Sequence, residues 1–409
     1  MPVAPNTSAS MIVRTFNPID PNPNAKYNIY NLGQNQFLAA DNPIGVIGDN
    51  WNFAGPGAVD WDFARSTIDL FVSRPNAAIN ANDFLVYNIS GNALARSRSL
   101  GSIGQPWQVA GFGYFVRSNF GQADMMMSGV LTPGNVTYRL YDTENNQFVS
   151  SGVVAVVGTN WRTAGFGTYA TNAIDDPNSF AGLMVLQDTT SPRMVAYAFR
   201  DGGLVNLPDK SDFADIGSEW TVVGFGNFSS QFPLGMITRY TGTNPALQNQ
   251  FLIYDIVQTF DQNNTPIYTA KLSNADVGFG PGVLTKIGSN AVVVGFAPIS
   301  ATPSVERVPA DMVLRDTNTG KFYVCDIQDD KVTFSGELPQ LSTSPIPASW
   351  TVGGIAPDFS ATASAGATAQ LAQAMAGFGD GSGAADGLNT TPPGADASQQ
   401  QFLATPQHA

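Results

Sequence analysis

The chain has 409 residues, 32 acidic side chains against 19 basic ones, a formal net charge of −13, and only 12% charged residues in all. An acidic chain repels a phosphate backbone, so nucleic acid is not an expected partner. A hydrophobic content of 43% suffices for a packed core, and no window of 18 apolar residues predicts a membrane-spanning helix.

Residues 1–10 carry no basic side chain and no apolar core, so they do not read as a Sec-type signal peptide and form an N-terminal extension. Met11–Arg14 is a short apolar run and Tyr27–Asn31 an alternating one. Gln36–Ala40 then leads to Gly48 and to Trp51, the first of a series of anchors. The phrase that follows such an anchor is clearest at Trp107-Gln108-Val109-Ala110-Gly111-Phe112-Gly113. It returns from Trp161 to Gly167 and from Trp220 to Gly226, with weaker copies starting at Trp51, Ala291 and Trp350. A glycine stands a few residues upstream of most copies, at Gly48, Gly104, Gly158, Gly217 and Gly288.

Between anchors the same order recurs. The Gly-Phe-Gly strand is followed by a polar loop, then by an apolar run such as Asp124–Met127 or Asp311–Arg315. An alternating run comes next, such as Phe84–Asn88, Phe251–Asp255 or Phe322–Asp326, and a fourth run such as Gly152–Val157 leads to the next anchor. The Asn or Asp closing the third run is expected to bond the backbone of the following turn. Cys325 fills a position held by Tyr in other copies, which predicts a buried small hydrophobe and excludes an internal disulfide.

Four short strands joined by turns make an antiparallel meander, and a sheet apolar on both faces must be covered on both. Radial stacking does this, so the prediction is an all-β, six-bladed β-propeller of four-stranded antiparallel blades. The glycine-rich strand is expected nearest the axis, where converging blades leave little room. Blades span 51–106, 107–160, 161–219, 220–290 and 291–349. The sixth is composite, 11–50 with 350–359, and the C-terminal strand closes the ring and removes its open edges. Ala275–Gly282 is an insertion in the longest unit. Residues 360–409 are a low-complexity tail in which Ala363–Phe378 has the composition for one helix and the rest reads as mobile.

The motifs from 107 to 127 and from 311 to 327 resemble the FG-GAP/VCBS-type repeats of bacterial propeller proteins, over residues 11–359. That resemblance implies an Asp-rich calcium loop after each first strand. Here the loops read Phe115–Phe120, Phe228–Phe232 and Pro298–Ala301, with few of the carboxylates that calcium needs. The metal sites are therefore expected to be lost, with Asp60, Asp62, Asp175 and Asp176 as the only remnants, and no cofactor is expected.

His408, the only histidine, stands next to last, so histidine acid–base catalysis, a Ser-His-Asp triad and His-ligated zinc have no support. No Gly-x-Ser-x-Gly elbow, phosphate loop or cysteine pair occurs. The acids are mostly aspartates that read as turn caps, and Gly379–Gly383 is one unrepeated glycine-aspartate copy. Trp51, Trp107, Trp161, Trp220 and Trp350 have two readings: fillers between neighbouring blades, or rings that hold sugars in pockets between them. The expected function is a secreted or surface-associated lectin-like module binding a glycan or another extracellular polymer, without catalytic residues. The alternatives are a carboxylate-dependent glycan-cleaving enzyme and a protein-interaction scaffold. The tail resembles the uncleaved signals of type I export; the alternative is a cytoplasmic protein with an ordinary flexible tail.

Overall fold

The computed structural model describes residues 7–15, 25–48, 51–57, 68–90, 92–113, 115–116, 123–144, 147–170, 180–200, 202–205, 213–248, 250–274, 290–300, 310–339, 346–347 and 349–357. The insertion at 275–282, the helix expected at 363–378, the rest of the tail and the four aspartates of the calcium-loop remnants lie outside the described residues.

The described strands form six antiparallel sheets. Blade 2 is β4 (Asn52–Gly57), β5 (Ile68–Asn76), β6 (Ala81–Ser90) and β7 (Ala93–Gly104). Blade 3 is β8 (Gln108–Gly113), β9 (Asp124–Thr132), β10 (Asn135–Glu144) and β11 (Gln147–Gly158). Blade 4 begins with β12 (Trp161–Ala170), β13 (Phe180–Asp188) and β14 (Arg193–Arg200). Among the described residues two short strands pair with its outer side, which the sequence did not predict: β15 (Gly203–Leu204) with one end of β14 and β16 (Ala214–Asp215) with the other. Blade 5 is β17 (Trp220–Gly226), β18 (Gly235–Tyr240), β19 (Phe251–Phe260) and β20 (Pro266–Asn274). Blade 6 is β21 (Ala291–Ala297), β22 (Asp311–Asp316), β23 (Phe322–Gln328) and β24 (Lys331–Leu338).

Blade 1 is built from both ends of the propeller segment. β1 (Ala9–Thr15), β2 (Ala25–Gly33) and β3 (Gln36–Ile47) are completed by β25 (Thr351–Pro357), which pairs antiparallel with β1. β1 starts at Ala9, two residues ahead of the boundary expected at Met11. The innermost strands touch in the order β25, β4, β8, β12, β17, β21 and back to β25, which closes the ring.

Each innermost strand carries a bulge beside its glycine. The ladder slips one residue between Phe53 and Gly55, Val109 and Gly111, Thr163 and Gly165, Val222 and Gly224, and Val293 and Gly295. The β25 ladder slips in the same way opposite Ile12 and Val13. A bulge sharpens local twist, and six of them tilt the blades alike around one axis. The core is a series of seams rather than one centre. Buried clusters join blades 1, 2 and 3, blades 3 and 4, blades 4 and 5, blades 5 and 6, and blades 6 and 1.

Candidate functional site

Because the innermost strands all start at an anchor and run the same way, the anchors gather at one end of the ring and the Gly-Phe-Gly segments at the other. At the anchor end, the backbone N–H groups of Trp51, Trp107 and Trp220 donate to the carbonyls of Gly48, Gly104 and Gly217, at 3.0, 3.4 and 2.8 Å. The upstream glycines thus open tight turns into the first strand. Trp350 makes the equivalent bond to Pro347, at 3.0 Å.

The anchor carbonyls point across the seam. Gln187 of blade 4 donates to the Trp220 carbonyl at 2.9 Å, and Arg315 of blade 6 donates to those of Trp350 and Pro347 at 2.5 and 2.6 Å. Arg239 of blade 5 donates likewise to the carbonyl of Ala291. Gln187, Arg239 and Arg315 each stand three residues after the methionine of their second strand (Met184, Met236, Met312), so the repeat supplies the lock.

The five tryptophans divide. Trp51 and Trp107 are each 8% exposed and belong to the cluster joining blades 1, 2 and 3. Arg74 and Arg139 lie over their rings, 4.6 and 5.6 Å from the centroids. Trp161, Trp220 and Trp350 pack against the seam clusters yet remain part-exposed. Arg193 stacks on Trp161 at 5.9 Å, and Tyr240 meets Trp220 edge-on at 5.3 Å while its hydroxyl donates to Glu219.

The opposite end holds what the sequence reading missed. Asp124 and Asp311 open the second strands of blades 3 and 6 and are buried. Asp124 accepts from the N–H groups of Phe115, Val116 and Thr143, at 2.8, 3.0 and 3.2 Å. Asp311 repeats this with Ile299, Ser300 and Ile327, at 2.7, 2.7 and 3.3 Å. Each carboxylate therefore ties the first-strand loop to the third strand. Burial raises Asp124 well above the ordinary carboxylate range, against the pull of its N–H donors. Burial, helped by the neighbouring charge of Asp326, raises Asp311 to about 7. The recurring Ala-Asp-Met at 123–125 and 310–312 was the available signal, since a loop-closing acid before an apolar run has no turn to cap.

The Asn or Asp expected to bond the following turn does something else. Asn88 donates to Asp69 across its own sheet at 2.8 Å, and Asn31 donates to Ser10 at 3.2 Å. These side chains sit two or more residues before the turn and face the interior, so sheet and seam partners replace the turn backbone. Turn capping does hold for Asp188, Asp261 and Asp316. Asp188 accepts from the hydroxyl and N–H of Thr190, which with Ser191 and Asn160 hold it down at about 2. Asp261 accepts from the N–H groups of Asn263 and Thr265, and Asp316 from Asn318 and Thr319. Cys325 is buried in the Tyr position, opposite Met312 where Tyr141 stands opposite Met125 and Tyr254 opposite Met236. Burial pushes its thiol up to about 12. Among the described residues no group of three or more His, Cys, Asp or Glu is placed to hold a metal ion.

Neither a family model nor a curated protein matches the chain. The likeness to FG-GAP/VCBS repeats therefore rests on the motif residues alone. Among solved structures, those similar to the chain include the following two. A glucose dehydrogenase shares 13% identity over 65% of this chain and 87% of its own, at a TM-score of 0.30. The β-propeller domain of the Trilobed protease from Pyrococcus furiosus, described as having an open velcro topology, shares 9% identity over 85% of this chain and 96% of its own, at 0.33. Likeness this low carries nothing about chemistry. The six-bladed assignment stands on strand pairing and on the closed order of the inner strands.

Proposed function

We propose that the ring is a binding module that recognises a glycan or another extracellular polymer and does not cleave it. In this reading it is built from diverged FG-GAP/VCBS-type repeats of a bacterial protein, and acts outside the cell or at its surface after type I export. A propeller is compatible with binding and interaction roles, and one observation favours this one. Trp161, Trp220 and Trp350 remain part-exposed at a single end of the ring, on three different blades. Aromatic faces beside polar groups suit sugars, which offer apolar ring faces and hydroxyls together.

The test is a glycan array with the purified protein, followed by titration of the best ligand into Trp161→Ala, Trp220→Ala and Trp350→Ala. Affinity should fall in at least one variant that melts like the parent. Full affinity in all three returns the tryptophans to packing, an empty array favours a protein-interaction scaffold, and released reducing sugar identifies a glycan-cleaving enzyme. Fractionating the native host tests the location.

A further inference from the structure

Three seams repeat one contact at the end opposite the anchors. A residue of the third strand in one blade meets a residue of the last hairpin turn in the next. Between blades 1 and 2 the partners are Asn31 and Asn92, whose amides bond each other reciprocally at 2.7 and 3.2 Å. Between blades 6 and 1 they are Asp326 and Asn35, with the Asn35 amide donating at 2.7 Å. Between blades 5 and 6 they are Asp255 and Asp330, a carboxyl against a carboxyl.

This third pair is enclosed: Asp255 is 7% and Asp330 8% exposed. One oxygen of each, Oδ1, is buried without a hydrogen-bond partner. The Asp330 backbone is fixed, since its N–H donates to the Phe228 carbonyl of blade 5 at 2.9 Å and its φ is +60°. The turn that carries this carboxyl is therefore held against blade 5. Asp329 beside it accepts from the N–H and hydroxyl of Ser230 at 3.1 and 2.7 Å, which hold its own carboxyl low and ionised. The other titratable groups around the pair are Lys271, across the ladder from Asp255 on β20, Lys331 after the turn, and Cys325 on β23, in the cluster with Ile253 and Phe228. Both lysines are exposed, and Ser273 is the remaining polar neighbour of Asp255.

Two ionised carboxylates in an enclosed site repel, and their attraction to exposed lysines is screened. One shared proton turns the same contact into a hydrogen bond, which an amide makes in the other two seams. We propose that Asp255 and Asp330 form a proton-operated latch between blades 5 and 6. It is closed while Asp255 holds its proton and loosened when Asp255 ionises. Burial, then the Asp330 charge, raises Asp255 to about 6, so the transition falls near neutral pH. The sign follows: the folded state retains a proton that the unfolded chain releases at lower pH. The latch stabilises fully below the ordinary carboxylate range and is lost as pH rises through about 6.

The experiment is a melting series of the full chain from pH 4.5 to 8.5, compared with Asp330→Asn and Asp255→Asn. Asp330→Asn places an amide where Asn35 stands between blades 6 and 1, and Asp255→Asn places one on the opposite partner. The native chain should lose more Tm than Asp330→Asn over this range, by about 2–4 °C. At pH 8 the variant should be the more stable of the two. Hydrogen-exchange protection on β19 and β23, taken relative to the intrinsic base-catalysed rate at each pH, should fall with pH in the native chain and stay level in the variant. Identical pH slopes in native and variant proteins overturn the latch. So does recovery of the native Tm at pH 8 by millimolar calcium, because the pair would then be a cation site. If Asp330→Asn does not fold, Asp255→Asn gives the same comparison from the other partner.

Discussion

The phenyl ring of Phe112 in blade 3 lies against Gly55 in blade 2, where a Cβ would stand 2.4 Å from its edge. Phe166 of blade 4 covers Gly111 of blade 3 in the same way and at the same distance. The Phe of one Gly-Phe-Gly phrase thus requires the Gly of the phrase before it. Gly111→Ala should destabilise the ring by about 1–3 kcal/mol, because the Phe166 ring is fully buried and has nowhere to move. The φ of +158° at Gly111 adds to the cost for any other residue. A urea melt unchanged from the parent would refute this interlock.

Closure depends on β25, the partner of β1 in blade 1. A chain ending after Ser349 lacks the strand, leaves β1 unpaired and removes the link between β21 and β4. It should be insoluble or melt without cooperativity, whereas a chain ending after Ser360 should behave as the parent. Gel filtration and a thermal melt of both decide the point, and a soluble, cooperatively melting 1–349 fragment would contradict the closure.

Trp107→Ala should cost roughly 3–5 kcal/mol, the usual loss when a large buried aromatic leaves a cavity. Its ring lies over Gly129 and under the Arg139 guanidinium, so both neighbours lose their support. Chemical denaturation measures the loss; a value below about 1 kcal/mol would mean that the ring is not core.

Asp124→Ala removes the acceptor of three buried N–H groups at once. An orphaned buried donor costs about 1–3 kcal/mol, so a loss on the order of 3 kcal/mol or more is expected. Asp124→Asn should recover only part of it, because the amide replaces one acceptor oxygen with a donor. Equal stability of the Asn and native proteins would show that the geometry matters less than the shape of the side chain.

Asp311 adds to the pH response independently of the seam between blades 5 and 6. Its folded value, raised to about 7, lies above that of an unfolded aspartate, so the folded state binds more protons between the two. Stability should be greatest in mild acid and should fall as pH rises through about 7. A melting temperature that is flat or rising from pH 4.5 to 8 would contradict that assignment.

The sequence by itself determined the blades, because a blade is a local object. Each is a meander of neighbouring strands, and a phrase such as Trp107–Gly113 followed by the run from Asp124 marks its strands wherever it recurs. The composite blade was legible for the same reason, since the segment from Met11 lacks a first strand and the one from Trp350 lacks everything else. Only the tertiary structure decided what meets across the seams. Asn31 and Asn92, Asn35 and Asp326, and Asp255 and Asp330 are one contact in three chemistries, and no spacing along the chain announces it. The partners occupy equivalent positions of the repeat, the third strand and the last hairpin turn, yet only the closed ring sets the third strand of one blade beside the turn of the next. Closing the ring brings them together and encloses them. Enclosure then turns aspartates that resemble turn caps into buried, mutually repelling or loop-binding groups, because taking a carboxyl out of water changes what it requires of its neighbours.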